Sequence, residues 1–375
     1  MKKKLLNILL AVNLFYSCDY SIYTTEGKYY EQLHLNQRYI SLREAPPAST
    51  IHLSYQAYNT LTDSYKKKIQ LTSIDSSGFI NPSQNQTNAN YNIYFLGGST
   101  TACFEVVDSL KFVNLVQRSL AMNYQLNVNT FNAGYPGNSS LSSYNKLVNV
   151  ILPQQPNMVV LMHNFNDLAI MLYQGDYWST KVMRGKVRRK VEILRDKSQV
   201  AYLAYLENKK IEPFYKLKEG LNGIFSVFNS TEKEWHNNKQ NPNEIDIQQL
   251  ESDFKSSLIT FIRTCRIYNA EPVLMTQANF LIKDPPVNSL VHQYAKNIMQ
   301  GSGYDYHKIQ MLYTNLNQII KDLANQENVT LIDLEKKVPK KSTYFLDLVH
   351  LNQRGSQLVA EIISQEFAKT IVKPQ

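Results

Sequence analysis

Cysteine is scarce, with only Cys18, Cys103 and Cys265 in 375 residues. No Cys/His or His/Asp cluster with metal-ligand spacing is present, so a metal site and a metal-dependent deacetylase are both disfavoured. If Cys18 is processed, a single pair remains, and its sequence separation says nothing about whether the two meet. Cys103 and Cys265 read as free buried thiols. Nucleic-acid modules are missing as well: there is no zinc finger, no heptad zipper and no glycine-rich aromatic signature, so no nucleic-acid partner is expected. Long apolar runs are also lacking. The N-terminal stretch Leu5 to Tyr16 is too short for a comfortable membrane span.

What is present fits a globular chain with a large core. Hydrophobic residues make up 43% and charged residues 19%, and the length exceeds one minimal domain. Tyrosine is abundant at 25 copies. Such amphipathic side chains suit surfaces that contact sugars, although an AT-rich genome produces the same bias. The formal net charge of +9 falls to +6 without Lys2, Lys3 and Lys4, a mild excess that fits anionic surfaces without demanding them.

Residues 1–18 read as a signal peptide. The basic Lys2-Lys3-Lys4 precedes the apolar stretch, and Ser17-Cys18 follows it. Leu14-Phe15-Tyr16-Ser17-Cys18 looks like a degenerate lipobox, in which Cys18 would be lipidated. The expected location is therefore the bacterial periplasm or cell envelope, with membrane attachment through Cys18. Residues 19–90 are polar and irregular and read as an N-terminal extension packed on the main domain.

From residue 91 short apolar runs alternate with helical patterns. Strands are expected at Ile93 to Leu96, Val128 to Phe131, Met158 to Met162, Pro272 to Met275 and Val329 to Leu334. Helices are expected around Phe112 to Leu120, from Leu141 to a stop at Pro153, and over roughly 245–268, 307–325 and 353–368. An insertion at about 170–245 interrupts this rhythm. Its basic segment, Lys181 to Lys197, reads as a solvated helix face, the alternative being a grip on an anionic polymer or membrane surface. The alternation implies an α/β fold with a mostly parallel five-stranded sheet covered on both faces. Sites in such sheets form at the carboxyl ends of the strands.

Those ends carry chemistry-bearing residues. Gly97-Gly98-Ser99-Thr100 follows the first strand, Asn132-Ala133-Gly134-Tyr135-Pro136-Gly137 the second, and His163-Asn164-Phe165-Asn166-Asp167 the third. Asp347-Leu348-Val349-His350 precedes the last helix. A serine nucleophile needs a base and a carboxylate to orient that base, which Ser99, His350 and Asp347 would supply. Candidate oxyanion donors are the N–H groups of Ser99 and Gly137, with Gly134 as fallback, and the Asn166 amide. His163, Asn164, Thr276 and Gln277 are candidates for touching substrate, and Asp167 for bracing its loop. No cofactor is implied.

The four blocks resemble, in order and spacing, those of the SGNH/GDSL hydrolases over about residues 91–175 and 270–370. The first block has Gly-Gly-Ser-Thr in place of Gly-Asp-Ser-Leu, a form similar to an exported bacterial branch. Asn164 stands where the third block usually has glycine. The resemblance implies a flavodoxin-like three-layer α/β/α sandwich over 91–375 with Ser99, Gly137, Asn166, Asp347 and His350 in the site. It also implies a serine esterase that cleaves O-acyl, most simply O-acetyl, esters through an acyl-serine. An acylated carbohydrate or another small ester is the expected substrate. An O-acyltransferase on an extracellular polysaccharide and a non-catalytic carbohydrate-binding assembly factor are the alternatives.

Overall fold

Met158–Met162 is apolar at every position and buried at every position, which requires cover on both of its faces. It sits at the centre of the sheet. The computed structural model describes residues 44–45, 47–54, 69–80, 89, 91–174, 177–178, 246–285 and 304–371. The N-terminal segment with Cys18, the basic segment Lys181 to Lys197 and most of the expected insertion lie outside the described residues. All described residues except Trp178 belong to one unit, Leu42–Tyr177 with Asn222–Gln375. Among the described residues no helix is long and apolar enough to cross a membrane.

Two short strands come first, β1 (Thr50–Ser54) and β2 (Ile69–Ser73), paired antiparallel. The main sheet follows with β3 (Tyr91–Gly97), β4 (Val128–Asn132), β5 (Met158–Met162), β6 (Glu271–Met275) and β7 (Thr330–Ile332). All its pairings are parallel, in the order β4-β3-β5-β6-β7. Counted within this sheet, that is the 2-1-3-4-5 order of flavodoxin-like folds. The chain reverses direction across the sheet between β3 and β5, and ligands of such folds bind in the crevice beyond that point.

Helices α1 (Ser99–Ala102), α2 (Phe112–Tyr124), α3 (Ser140–Lys146), α4 (Phe165–Gln174), α5 (Ile247–Ile267), α6 (Tyr306–Gln326), α7 (Leu334–Lys337) and α8 (Gln353–Ile371) link or flank these strands. The pair α2 and α8 covers one face, while α3, α4, α5 and α6 pack together on the other. The result is a three-layer α/β/α sandwich. Side chains set several boundaries: Asp246 accepts the N–H groups of Gln248 and Gln249 to start α5, and Asp305 accepts that of Lys308 to start α6.

Two of the boundaries that differ from the sequence reading have a local cause. Pro153 does not stop the helical path. After α3 the chain widens into a π turn at Leu147–Ile151 and then a 3-10 turn at Leu152–Gln154, where proline occupies a starting position that needs no N–H donor. The strand expected to reach Leu334 ends at Ile332, because Asp333 accepts the Lys336 N–H and opens α7.

The stretch before β3 is joined to the sheet. Ile80 donates its N–H to the Asn132 carbonyl at 2.9 Å, extending the β4 edge antiparallel. Phe79 meets Tyr94 edge-on at 5.5 Å, and Tyr94 stacks on Phe131 at 4.4 Å. Two buried lysines pin the same stretch from below. Lys146 Nζ donates to the Gly78 carbonyl at 3.0 Å, and Lys111 Nζ donates to Thr72 Oγ1 at 3.2 Å. Cys103 and Cys265 are free and buried, and burial pushes both thiols up to about 12.

Candidate active site

Strand β3 ends on two glycines because nothing larger fits. A Cβ at Gly97 would lie 2.0 Å from Thr101 Oγ1 and 2.8 Å from the Met162 carbonyl oxygen, and one at Gly98 would lie 2.3 Å from Asn166 Nδ2. Ser99 follows as the first residue of α1, where the turn bonds run from Ala102 N to Gly98 O and from Cys103 N to Ser99 O. The Ser99 N–H is thus one of the donors that a helix start does not use internally.

The β4 end brings a second loop to the same place. Asn138 N donates to Tyr135 O at 3.1 Å, with Pro136 and then Gly137 between them. Gly137 has φ +79°, the value a type II turn requires at that position. Gly134 fills a different role: a Cβ there would sit 2.5 Å from Ala102 N, and its N–H is spent on Asn132 Oδ1 at 3.0 Å. It is a packing glycine, which removes it as an alternative oxyanion donor. Asn166, in the first turn of α4, reaches back and donates from Nδ2 to the Asn138 carbonyl at 2.8 Å. A primary amide carries two N–H donors, so this bond leaves the amide one more to offer.

The loop before α8 completes the group. Asp347 Oδ1 accepts the backbone N–H groups of Val349 at 2.9 Å and His350 at 2.8 Å. Its Oδ2 lies 2.6 Å from His350 Nδ1, and His350 Nε2 lies 2.8 Å from Ser99 Oγ. Next to a carboxylate Nδ1 must be the donor, so in neutral His350 Nε2 is the acceptor and the Ser99 hydroxyl donates to it. The loop is held by Phe280, whose N–H donates to Leu348 O at 2.7 Å. Asn352 then starts α8 by accepting the Gly355 N–H at 3.0 Å.

Charge follows from this geometry. Burial raises the Asp347 carboxyl, but the charge of His350 and the hydrogen bonds from its ring and backbone outweigh it and hold the group below the ordinary carboxylate range. Burial lowers the imidazole of His350, but Asp347 and then Glu105 overcome it and lift it to about 9. Glu105 is itself buried, on the loop that follows α1. Burial raises its own carboxyl, opposed by the His350 charge.

Exposure sorts the candidates. Ser99, Gly137, Asn166 and His350 are all partly exposed. His163, Asn164, Thr276 and Gln277 are buried, between 0 and 5% exposed, and each is bonded within the protein. The structure thus places these four candidate substrate contacts among protein partners, away from the partly exposed surface of the site. Thr276 bonds Asp333 Oδ1 and accepts the Glu335 N–H, and Asn164 donates to the Tyr313 carbonyl.

His163 belongs to a buried row beneath the site. Its Nε2 lies 2.7 Å from Ser143 Oγ and its Nδ1 3.4 Å from Asp167 Oδ2. Burial, opposed by Asp167, keeps this imidazole below its ordinary value. Asp167 Oδ1 also accepts the N–H and hydroxyl of Ser140 and the Tyr177 hydroxyl. The row repeats the composition of a Ser-His-Asp triad, but Ser143 is fully buried. It ties the loop of Gly137 to the loop of Asn166. The sequence offered no signal for the roles of Glu105, Ser140, Ser143 and Tyr177.

No protein-family model matches the chain, and no curated protein matches it. Solved structures similar to it include an acetyl xylan esterase (17% identity, TM-score 0.40, 75% of this chain and 100% of that one). Another is the lipase/acylhydrolase from Enterococcus faecalis (17% identity, TM-score 0.42, 76% and 98%). A third is an acetylxylan esterase from Geobacillus stearothermophilus (14% identity, TM-score 0.41, 74% and 94%). At TM-scores between 0.40 and 0.42 these likenesses add nothing to the fold, which rests on the strand order.

Proposed function

We propose that this chain is a serine esterase of the SGNH/GDSL type. One observation carries the reading: an unbroken row from Asp347 through His350 to Ser99, with spacings of 2.6 and 2.8 Å, just beyond the carboxyl end of β3 where the strand order reverses. In this reading His350 Nε2 takes the Ser99 proton as Oγ attacks an ester carbonyl. The oxyanion is met by the Ser99 and Gly137 N–H groups and by the Asn166 amide. Collapse expels the alcohol, which leaves with the proton from His350. Water then repeats the sequence on the acyl-serine, with His350 again as base, and releases the acid.

The substrate we propose is an O-acyl ester, most simply O-acetyl, on a carbohydrate outside the cell. The N-terminal segment from Lys2 to Cys18, the tyrosine-rich composition and the four-block resemblance support it. Acyl transfer to a sugar hydroxyl shares every step up to the acyl-serine. A purely binding module has no need of an aligned nucleophile, base and carboxylate. Lipidation of Cys18 is part of the same reading, and an intact mass of the mature protein tests it.

The deciding experiment is release of p-nitrophenol from the acetate and butyrate esters by wild type, Ser99→Ala and His350→Ala. Turnover of acetate, lost by on the order of 10⁴-fold or more in each variant, is the expected result. Full activity in Ser99→Ala would overturn the mechanism.

A further inference from the structure

The two loops that must cooperate in this reaction come from different strands. Ser99 follows β3 and Asn166 follows β5. A single side chain from a third strand joins them. Gln277, two residues beyond β6, accepts the Phe165 N–H on Oε1 at 2.8 Å and donates from Nε2 to Thr100 Oγ1 at 3.0 Å. Phe165 immediately precedes Asn166, and Thr100 immediately follows Ser99. The orientation of the amide is forced, because a backbone N–H can only donate and so must face the oxygen.

The bridge is anchored from behind. The Gln277 N–H donates to Asn317 Oδ1 at 3.1 Å, while Asn317 Nδ2 and the Tyr313 hydroxyl both donate to the Gln277 carbonyl at 3.1 Å. Asn317 and Tyr313 lie on α6 and are fully buried. A buried amide with both ends paired and its backbone clamped has no slack. Beyond the Gly97–Met162 pair that ends the β3–β5 ladder, its length therefore constrains how the two loops sit relative to each other.

We propose that Gln277 is a positioning residue for the oxyanion site, holding Asn166 at the distance from Ser99 that the tetrahedral intermediate requires. It touches no substrate, and the proposal rests on the esterase reading above. Removing an oxyanion donor costs on the order of 10²- to 10³-fold in rate, and a misplacement near 1 Å costs on the order of 10²-fold. Gln277→Met keeps the length of the side chain and removes both bonds. Its expected effect is a fall in kcat of roughly 10- to 100-fold with KM changed less than about three-fold.

A role confined to stability would lower the melting temperature without that split, so a double-mutant cycle decides between the two. Asn166→Ala alone lowers kcat on its own account. If Gln277 acts through Asn166, adding Gln277→Met to Asn166→Ala costs less than about three-fold more, because the group being positioned is already gone. Additive losses, or a Gln277→Met enzyme at the wild-type rate, overturn the proposal. Should Gln277→Met not fold, Thr100→Val removes the bridge from its other end and must give the same kcat loss and the same non-additivity. Wild-type protein without esterase turnover would sink the esterase reading and this proposal with it. Gln277 variants at full rate in an active enzyme would sink the proposal alone.

Discussion

Asp347 grips His350 twice, taking the ring Nδ1 at 2.6 Å on one oxygen and the backbone N–H at 2.8 Å on the other. The imidazole is thereby fixed in position and tautomer by one carboxylate, three residues earlier in the chain. Orientation of this kind is what a general base needs before its proton affinity matters.

That proton affinity has a direct consequence. Burial opposes the charged imidazole, but Asp347 and Glu105 lift His350 to about 9. A base must be neutral to accept the Ser99 proton, and the neutral fraction grows as pH rises through that value. We predict that kcat/KM for p-nitrophenyl acetate climbs from neutral pH to a plateau above about 9. Glu105→Gln removes one of the two charges that raise His350, so the climbing limb shifts toward lower pH. An unmoved limb would show that His350 does not sense Glu105. The linkage to stability has the matching sign. The folded value exceeds the ordinary 6.5, so the contribution is complete below 6.5 and is lost as pH rises through about 9.

Gly98→Ala is the sharpest steric test of the oxyanion arrangement. The added methyl would fall 2.3 Å from Asn166 Nδ2 and 3.3 Å from the Asn138 carbonyl oxygen. Either the amide leaves its place or the first turn of α1 moves. A kcat loss on the order of 10²-fold is expected, with KM little changed. Steady-state kinetics beside a thermal melt separate this from simple unfolding.

Asp167 joins the loop of Asn166 to that of Gly137 through Ser140 and Tyr177. Asp167→Asn would turn an amide donor toward groups that already donate. A loss of about 1–3 kcal/mol in unfolding free energy is expected, read from urea denaturation. Tyr177→Phe removes one donor only and should cost less, about 1 kcal/mol. Equal stability of the Asp167→Asn and wild-type proteins would mean that the buried row is not a brace.

Much of the fold was legible because its signals are local. Met158–Met162 is a closed apolar run, and its expected limits match the strand. The meeting of Ser99, Asp347 and His350 was legible because they sit in blocks whose order alone narrows the choice. The ribbon of Thr50–Ser54 and Ile69–Ser73 was not, since its strands carry few apolar residues and each needs the other for its pattern to make sense. The surroundings of Gln277 and Thr276 were not legible for a related reason. A polar residue at a strand end can face substrate or bury itself against partners, and those partners, Phe165, Thr100 and Asp333, lie between 57 and 177 residues away. Sequence spacing cannot supply that distinction.

Lys111 is the clearest instance of a side chain whose place contradicts its chemistry. It is 1% exposed and donates to the carbonyls of Cys103 at 2.6 Å and Val106 at 2.9 Å as well as to Thr72. Asp108 lies 3.5 Å away, and the Phe104 ring 5.6 Å. Burial lowers its proton affinity against the pull of Asp108. The ammonium thus closes the turn between Cys103 and Val106 that follows the Ser99 turn, and it pins β2 to that turn. Lys111→Met keeps much of the packing and discards the charge, leaving two carbonyls, a hydroxyl and Asp108 without their common donor. The expected loss is about 2–4 kcal/mol in urea unfolding. Because Cys103 also caps α1, kcat should fall as well, whereas Lys146→Met, which frees the Gly78 carbonyl and takes the charge off the Phe79 ring, should destabilise without changing kcat. Equal kcat losses from the two lysine variants would count against a link between Lys111 and the Ser99 turn.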